Sequence, residues 1–303
     1  MKILDVHSHC IPSAVAQNTT FFKQFWSDDG TQLKTMDAHG IEKSVLLYPT
    51  SDAHVNMGSW AKVCRVYNEE LAKVVGRHPT RFVGAGILPA DDAQALSEEL
   101  ARVADSNFKF LSMASSYDGV FLSDERFHPV FELAQKKGLI VHVHPQIMNP
   151  IGEDRVRDPL LTPVLEYVFD VSACIGKMMM EGTFQKFPDV KFIFAHYGGV
   201  IPFVKERFDN TYQMLRKRNY VKDLGKNPSE YFKNLYIDTS GSRSPGALAC
   251  ALEVVDAGHI LWGSDYPANQ NLPDAIKVVA DSPLKREDQE RIFGGTLAGL
   301  LGR

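Results

Sequence analysis

Eight short apolar runs, rich in β-branched residues, recur along the chain with helix-length stretches between them. They are Lys2–Val6, Lys43–Tyr48, Phe82–Leu88, Phe108–Met113, Leu139–Val143, Lys191–Ala195, Leu235–Asp238 and His259–Trp262. Near-continuous apolar runs are the mark of strands covered on both faces, as in a parallel sheet. The intervening stretches Trp60–Val75, Asp92–Val103, Glu125–Lys137, Ile201–Lys217 and Gly246–Val255 read as helices, and Arg286–Leu301 as a closing one. Asp124 and Ser244 are suited to cap two of them. Eight βα units in 303 residues without a composition break predict one domain, residues 1–303, folded as a (β/α)8 TIM barrel. A doubly wound open sheet is the competing architecture, but no GxGxxG or P-loop turn follows any strand.

Four of the runs end in ligand-type side chains. They lead into Asp5-Val6-His7-Ser8-His9, His142-Val143-His144-Pro145, His196-Tyr197-Gly198-Gly199 and Gly263-Ser264-Asp265-Tyr266-Pro267. Residues i and i+2 of a strand share a face, so His7 and His9 point the same way. His144 lies at its strand's C-terminal end, and His142 one layer deeper, where it would orient other groups. Imidazoles and a carboxylate at several strand ends are what a divalent metal site on a parallel barrel requires. Asp265 can bind metal, exchange a proton, or do both in turn. His196 is expected to act as an acid, a base or a polariser, with Gly198 and Gly199 letting backbone approach a ligand. Lys109 lies within the fourth strand, but no further carboxylates support a second metal, so an ion pair is expected for it.

Two segments break the rhythm. Cys10–Gly30 carries Phe21, Phe22, Phe25 and Trp26, and Gln146–Pro163 carries Arg155 and Arg157. Both should rise above the C-terminal face, where substrates bind. The aromatics either cap the barrel or pack against a partner subunit.

The formal net charge is −4 with both signs interspersed, which argues against nucleic acid and anionic membranes as partners. No apolar run reaches the ~18 residues of a membrane span, and no signal peptide precedes the first strand. Cys10, Cys64, Cys174 and Cys250 form no CxxC unit. Scattered thiols suggest a reducing, cytoplasmic setting.

DVHSHCIP, HVHP, FPDVKFIFAHYGG and ILWGSDYP, in this order, resemble the amidohydrolase superfamily. More narrowly they resemble the amidohydrolase-related branch, which contains aminocarboxymuconate-semialdehyde decarboxylase, resorcylate-type decarboxylases and related hydrolases. The resemblance implies one divalent metal, Zn2+ or alternatively Mn2+, with ligands His7, His9, His144 and Asp265. It implies a catalytic role for His196, alongside Asp265, and a homodimer. Arg207 falls where the decarboxylases place an arginine that reaches a neighbouring subunit's site; its ordinary alternative is a surface charge. Two departures stand out. HGGG is HYGG here, which puts Tyr197 near His196 as a candidate substrate contact, and a hairpin carrying a substrate-gripping arginine is absent. Arg243, after the seventh strand, is this chain's own candidate carboxylate clamp, because a guanidinium matches a carboxylate bidentately. The implied activity is non-oxidative decarboxylation of a small unsaturated or aromatic carboxylate. The alternative is hydrolysis of an amide, lactone or activated C–C bond by a metal-bound water.

Overall fold

In the computed structural model, which describes residues 2–22, 24–152, 154–156 and 158–302, all eight apolar runs form strands. They are β1 (Ile3–His9), β2 (Ile41–Leu47), β3 (Phe82–Gly86), β4 (Phe110–Ala114), β5 (Ile140–His144), β6 (Lys191–Phe194), β7 (Tyr236–Asp238) and β8 (Ile260–Leu261). Each pairs in parallel with the next, in sequence order. The sheet closes where the Val6 N–H donates to the Trp262 carbonyl at 3.0 Å and Ser8 bridges Tyr266. The architecture is the (β/α)8 barrel expected.

A helix follows every strand: Asp29–Ala38, Trp60–Arg77, Ala93–Asp105, His128–Lys137, Tyr167–Met180, Ile201–Arg216, Pro245–Leu252 and Leu272–Ala280. The caps follow local chemistry. The Ser59, Asp92 and Ser244 side chains accept from the N–H groups of Lys62, Ala95 and Gly246, satisfying donors that a helix leaves open. The Asp124 carboxylate accepts from the Arg126 N–H, capping a single 3-10 turn rather than the helix, which starts at His128.

Two layers of apolar side chains hold the barrel. The larger lies between strands and helices. The smaller fills the barrel's lower interior with Leu4, Val6, Val45, Leu47, Ala85, Phe110, Ile140, Ile193 and Leu261, closed below by Leu297. Burying each large side chain contributes roughly 1.5–3 kcal/mol.

One irregularity aims the site. Between Asp5 and Ser8, β1 gains a residue against Ser44 to Leu46 of β2. A bulge re-aims the side chains that follow it. Leu4 and Val6 therefore join the interior layer, yet His7 and His9, of opposite parity, also reach the barrel mouth.

Candidate metal centre

His7, His9, His144 and Asp265 come together at the C-terminal mouth, their ligand atoms all within 4.8 Å of one another. His7 Nε2 lies 3.2 Å from His9 Nε2, and Asp265 Oδ1 lies 3.1 Å from the latter. The His144 ring centroid is 5.1 Å from that of His7 and 5.0 Å from that of His9. The three imidazoles are buried.

Each element delivers its ligand for a local reason. β1 supplies His7 and His9 past the bulge, and β5 supplies His144 at its last residue. Asp265 sits after β8 with φ +59, where Gly263 lets the chain pass close by: a Cβ there would meet the His7 Cβ at 2.9 Å. Buried Asp5 ties this turn to β1. Its carboxylate accepts from the Ser264 N–H and hydroxyl, at 2.9 and 2.6 Å, and from the His7 N–H at 3.1 Å. Burial pushes Asp5 up to about 7, against the downward pull of the Ser264 hydrogen bonds.

The donor set fits a cation. His7 Nδ1 donates to Asp238 Oδ2 at 2.8 Å, and His144 Nδ1 donates to the Pro145 carbonyl at 2.9 Å. Both rings are thereby left with Nε2 bare toward the common point. Burial lowers His7 to about 4, although Asp238 pulls the other way, and burial together with the neighbouring imidazoles holds His144 well below the usual histidine range. Neutral imidazoles are what a metal takes. Burial alone would raise Asp265, but the His9 hydrogen bond and the neighbouring imidazoles of His7 and His196 outweigh it, leaving the carboxyl below its ordinary value.

Asp238, which the sequence reading did not single out, is the hub beneath. Besides His7 it accepts from His142 Nε2 at 2.9 Å and from the N–H groups of His196 and Ser240. His142 thus lies one layer down, sharing this carboxylate with His7 and packing its ring 5.0 Å from that of His7. A carboxylate behind a histidine ligand fixes its tautomer and raises its basicity.

His196 stands beside the cluster, its ring 5.4 Å from that of His7 and 5.7 Å from that of His144. Its segment runs left-handed through four residues, with φ 55, 59, 70 and 68 at His196, Tyr197, Gly198 and Gly199. Gly199 packs tightly: a Cβ there would lie 2.2 Å from the Ser172 hydroxyl and 2.3 Å from the Val168 carbonyl, on the helix Tyr167–Met180. Tyr197, the candidate substrate contact beside His196, is buried, its ring belongs to the large core, and its hydroxyl bonds nothing among the described residues.

Arg243 is exposed and lines a cavity of about 230 Å³ together with Ser240, Gly263 and Asp265. Arg207 is exposed on the helix Ile201–Arg216 and lines a groove with Met179 and Phe208. Arg155 is exposed, and Arg157 lies outside the described residues. Lys109, just before β4, is exposed and makes no ion pair among the described residues, contrary to expectation. The aromatic segment does reach the mouth: Trp26 lies 5.8 Å from the His9 ring and 4.6 Å from Phe22, and Phe25 lies 6.0 Å from Tyr266.

A parallel barrel with three histidines and an aspartate converging at its C-terminal mouth defines a metal-dependent barrel enzyme. Residues 47–303 match the amidohydrolase family, and the chain belongs to that family. It is 26% identical to the 2-amino-3-carboxymuconate-6-semialdehyde decarboxylase of Dictyostelium discoideum, over 99% of this chain and 84% of that one. It is 27% identical to the gamma-resorcylate decarboxylase of a Polaromonas species, over 89% of this chain and 86% of that one. Its fold superimposes with a TM-score of 0.81 on a dihydroxybenzoic acid decarboxylase from Polaromonas with bound manganese and the inhibitor 2-nitroresorcinol, at 20% identity, covering 100% of this chain and 98% of that one. One divalent metal ion suits the His/Asp cluster.

Proposed function

We propose that this protein is a metal-dependent, non-oxidative decarboxylase of a small aromatic or unsaturated carboxylate. The observation that carries the reading is the convergence of His7, His9, His144 and Asp265 beside the cavity that Arg243 lines. Relatives bearing the names of carboxymuconate and resorcylate decarboxylases support the choice of reaction. His7, His9, His144 and Asp265 would hold the cation, for which Zn2+ is our assignment and Mn2+ the alternative. The chemistry it supplies there is Lewis-acid binding of a carboxylate and an adjoining oxygen.

The chain's own residues do the rest. Arg243 pairs with an anionic group of the substrate at the rim. Loss of CO2 leaves the bonding electron pair on the substrate carbon, and a proton must replace CO2 there. His196 or Asp265 delivers that proton. Trp26 and its aromatic neighbours cover the mouth and keep water from the carbon.

We also propose a homodimer. Phe203 is 84% exposed on the helix that carries Arg207, and Leu160 and Val164, before the helix Tyr167–Met180, are exposed too. Apolar exposure of this kind marks association surfaces. Free, buried Cys10, Cys64 and Cys174 support a reducing cytoplasm as the setting.

The test is a screen of small carboxylates on the metal-loaded protein, read by mass. Products lighter by CO2 are expected. Products heavier by water would replace this reading with hydrolysis.

A further inference from the structure

Ser240 sits two residues past the end of β7, buried, and its hydroxyl meets four groups at once. Its Oγ contacts Asp238 Oδ1 at hydrogen-bond distance, lies 2.9 Å from His196 Nδ1 and 3.0 Å from His7 Nδ1, and accepts from the His196 backbone N–H at 3.3 Å. A serine hydroxyl has one proton to donate and two lone pairs to accept with. Asp238 takes donors on every side, from His7, His142 and two backbone N–H groups, so it acts throughout as an acceptor. The Ser240 proton therefore goes to Asp238. His7 Nδ1 already has the nearer carboxylate oxygen, at 2.8 Å. One lone pair of Ser240 Oγ takes the His196 backbone N–H at 3.3 Å, and the other is left to accept from His196 Nδ1–H.

The surroundings leave the His196 ring little choice. Its backbone N–H is held by Asp238 Oδ1 at 3.1 Å. Gly241 lies flat against it, since a Cβ there would come within 2.5 Å of Nδ1. With Nδ1 turned to Ser240, Nε2 lies on the opposite edge of the ring.

We propose that Ser240 is a positioning residue that fixes His196 as its Nδ1–H tautomer, so that Nε2 is the nitrogen available for proton transfer. One carboxylate, Asp238, then sets the tautomers of two functionally different histidines: His7 directly and His196 through a hydroxyl. The inference rests on the proton-transfer role given to His196 above, but its first test needs no turnover.

The experiment is long-range 1H–15N NMR on the full chain labelled at histidine, loaded with zinc, with His196 assigned by its loss in His196→Gln. The wild type should show a protonated Nδ1 and a bare Nε2 at His196. Ser240→Ala should lose that signature, and Ser240→Thr, which keeps the hydroxyl, should restore it. A wild-type spectrum with Nε2–H and bare Nδ1 overturns the proposal even if neither variant folds, as does an unchanged tautomer in Ser240→Ala. Once a substrate is found, Ser240→Ala should lower kcat about 10–100-fold, the usual effect of removing such a supporting partner, with KM and bound zinc nearly unchanged. Loss of zinc in proportion to activity would show a purely structural role and overturn the proposal. Absence of any decarboxylation by the wild type would sink the functional reading while leaving the tautomer result standing.

Discussion

The same strands build two opposite interiors. At the bottom of the barrel Leu4, Val6, Val45, Leu47, Phe110, Ile140, Ile193 and Leu261 make an apolar plug. A few residues further along β1, β5, β6 and β8 stand His7 and His9, His144, His196 and Asp265. The lower layer gains free energy by leaving water. The upper layer loses it, since buried polar groups cost free energy unless they are bonded. Its members are accordingly tied to Asp238, Asp5, Ser240 and one another. The contrast teaches a division of labour along the barrel axis: the plug sets how stable the protein is, and the mouth sets what it does.

Substitutions at the two ends should therefore fail in different ways. The largest effect is expected at the mouth. Asp265→Ala or His144→Ala should lower turnover by about 10³-fold or more, since metal chemistry supplies several kcal/mol and each factor of ten is about 1.4 kcal/mol. Thermal unfolding of these metal-free variants should stay close to that of the chelated wild type, and circular dichroism alongside an activity assay checks both. Wild-type rates in either variant would break the comparison from above. At the bottom, Phe110→Ala should cost about 3–5 kcal/mol of stability, measured by urea unfolding, while the folded fraction keeps its kcat. A variant that unfolds normally but turns over poorly would mean that plug and mouth are coupled. The smallest effect belongs to the layer between. Asp238→Asn should weaken metal affinity or activity about 10–100-fold, read by competition with a chromophoric chelator. Unaltered affinity and activity would remove Asp238 from the site.

How far the sequence reveals this design depends on how local each signal is. The eight strands are visible because each is a self-contained apolar run, and His7 and His9 share a face by strand period alone. Helix Asp29–Ala38 escapes notice because it buries little, only Gln32 and Met36. Tyr167–Met180 buries Val171, Cys174, Ile175 and Met178 at helical spacing, but Phe169 and Met180 add apolar residues off that face and blur the stripe. The bulge in β1 depends on its register against β2 and leaves no mark in the composition of β1. Asp238 leaves no local signal because its partners His7 and His142 stand 231 and 96 residues away, and nothing nearby in the chain announces them.

The most direct test is a crystal of the manganese-loaded protein examined by anomalous scattering. The account predicts one strong peak per chain, within about 2.0–2.2 Å of nitrogens of His7, His9 and His144 and of an Asp265 oxygen. A peak elsewhere, or four side chains that share none, would contradict it.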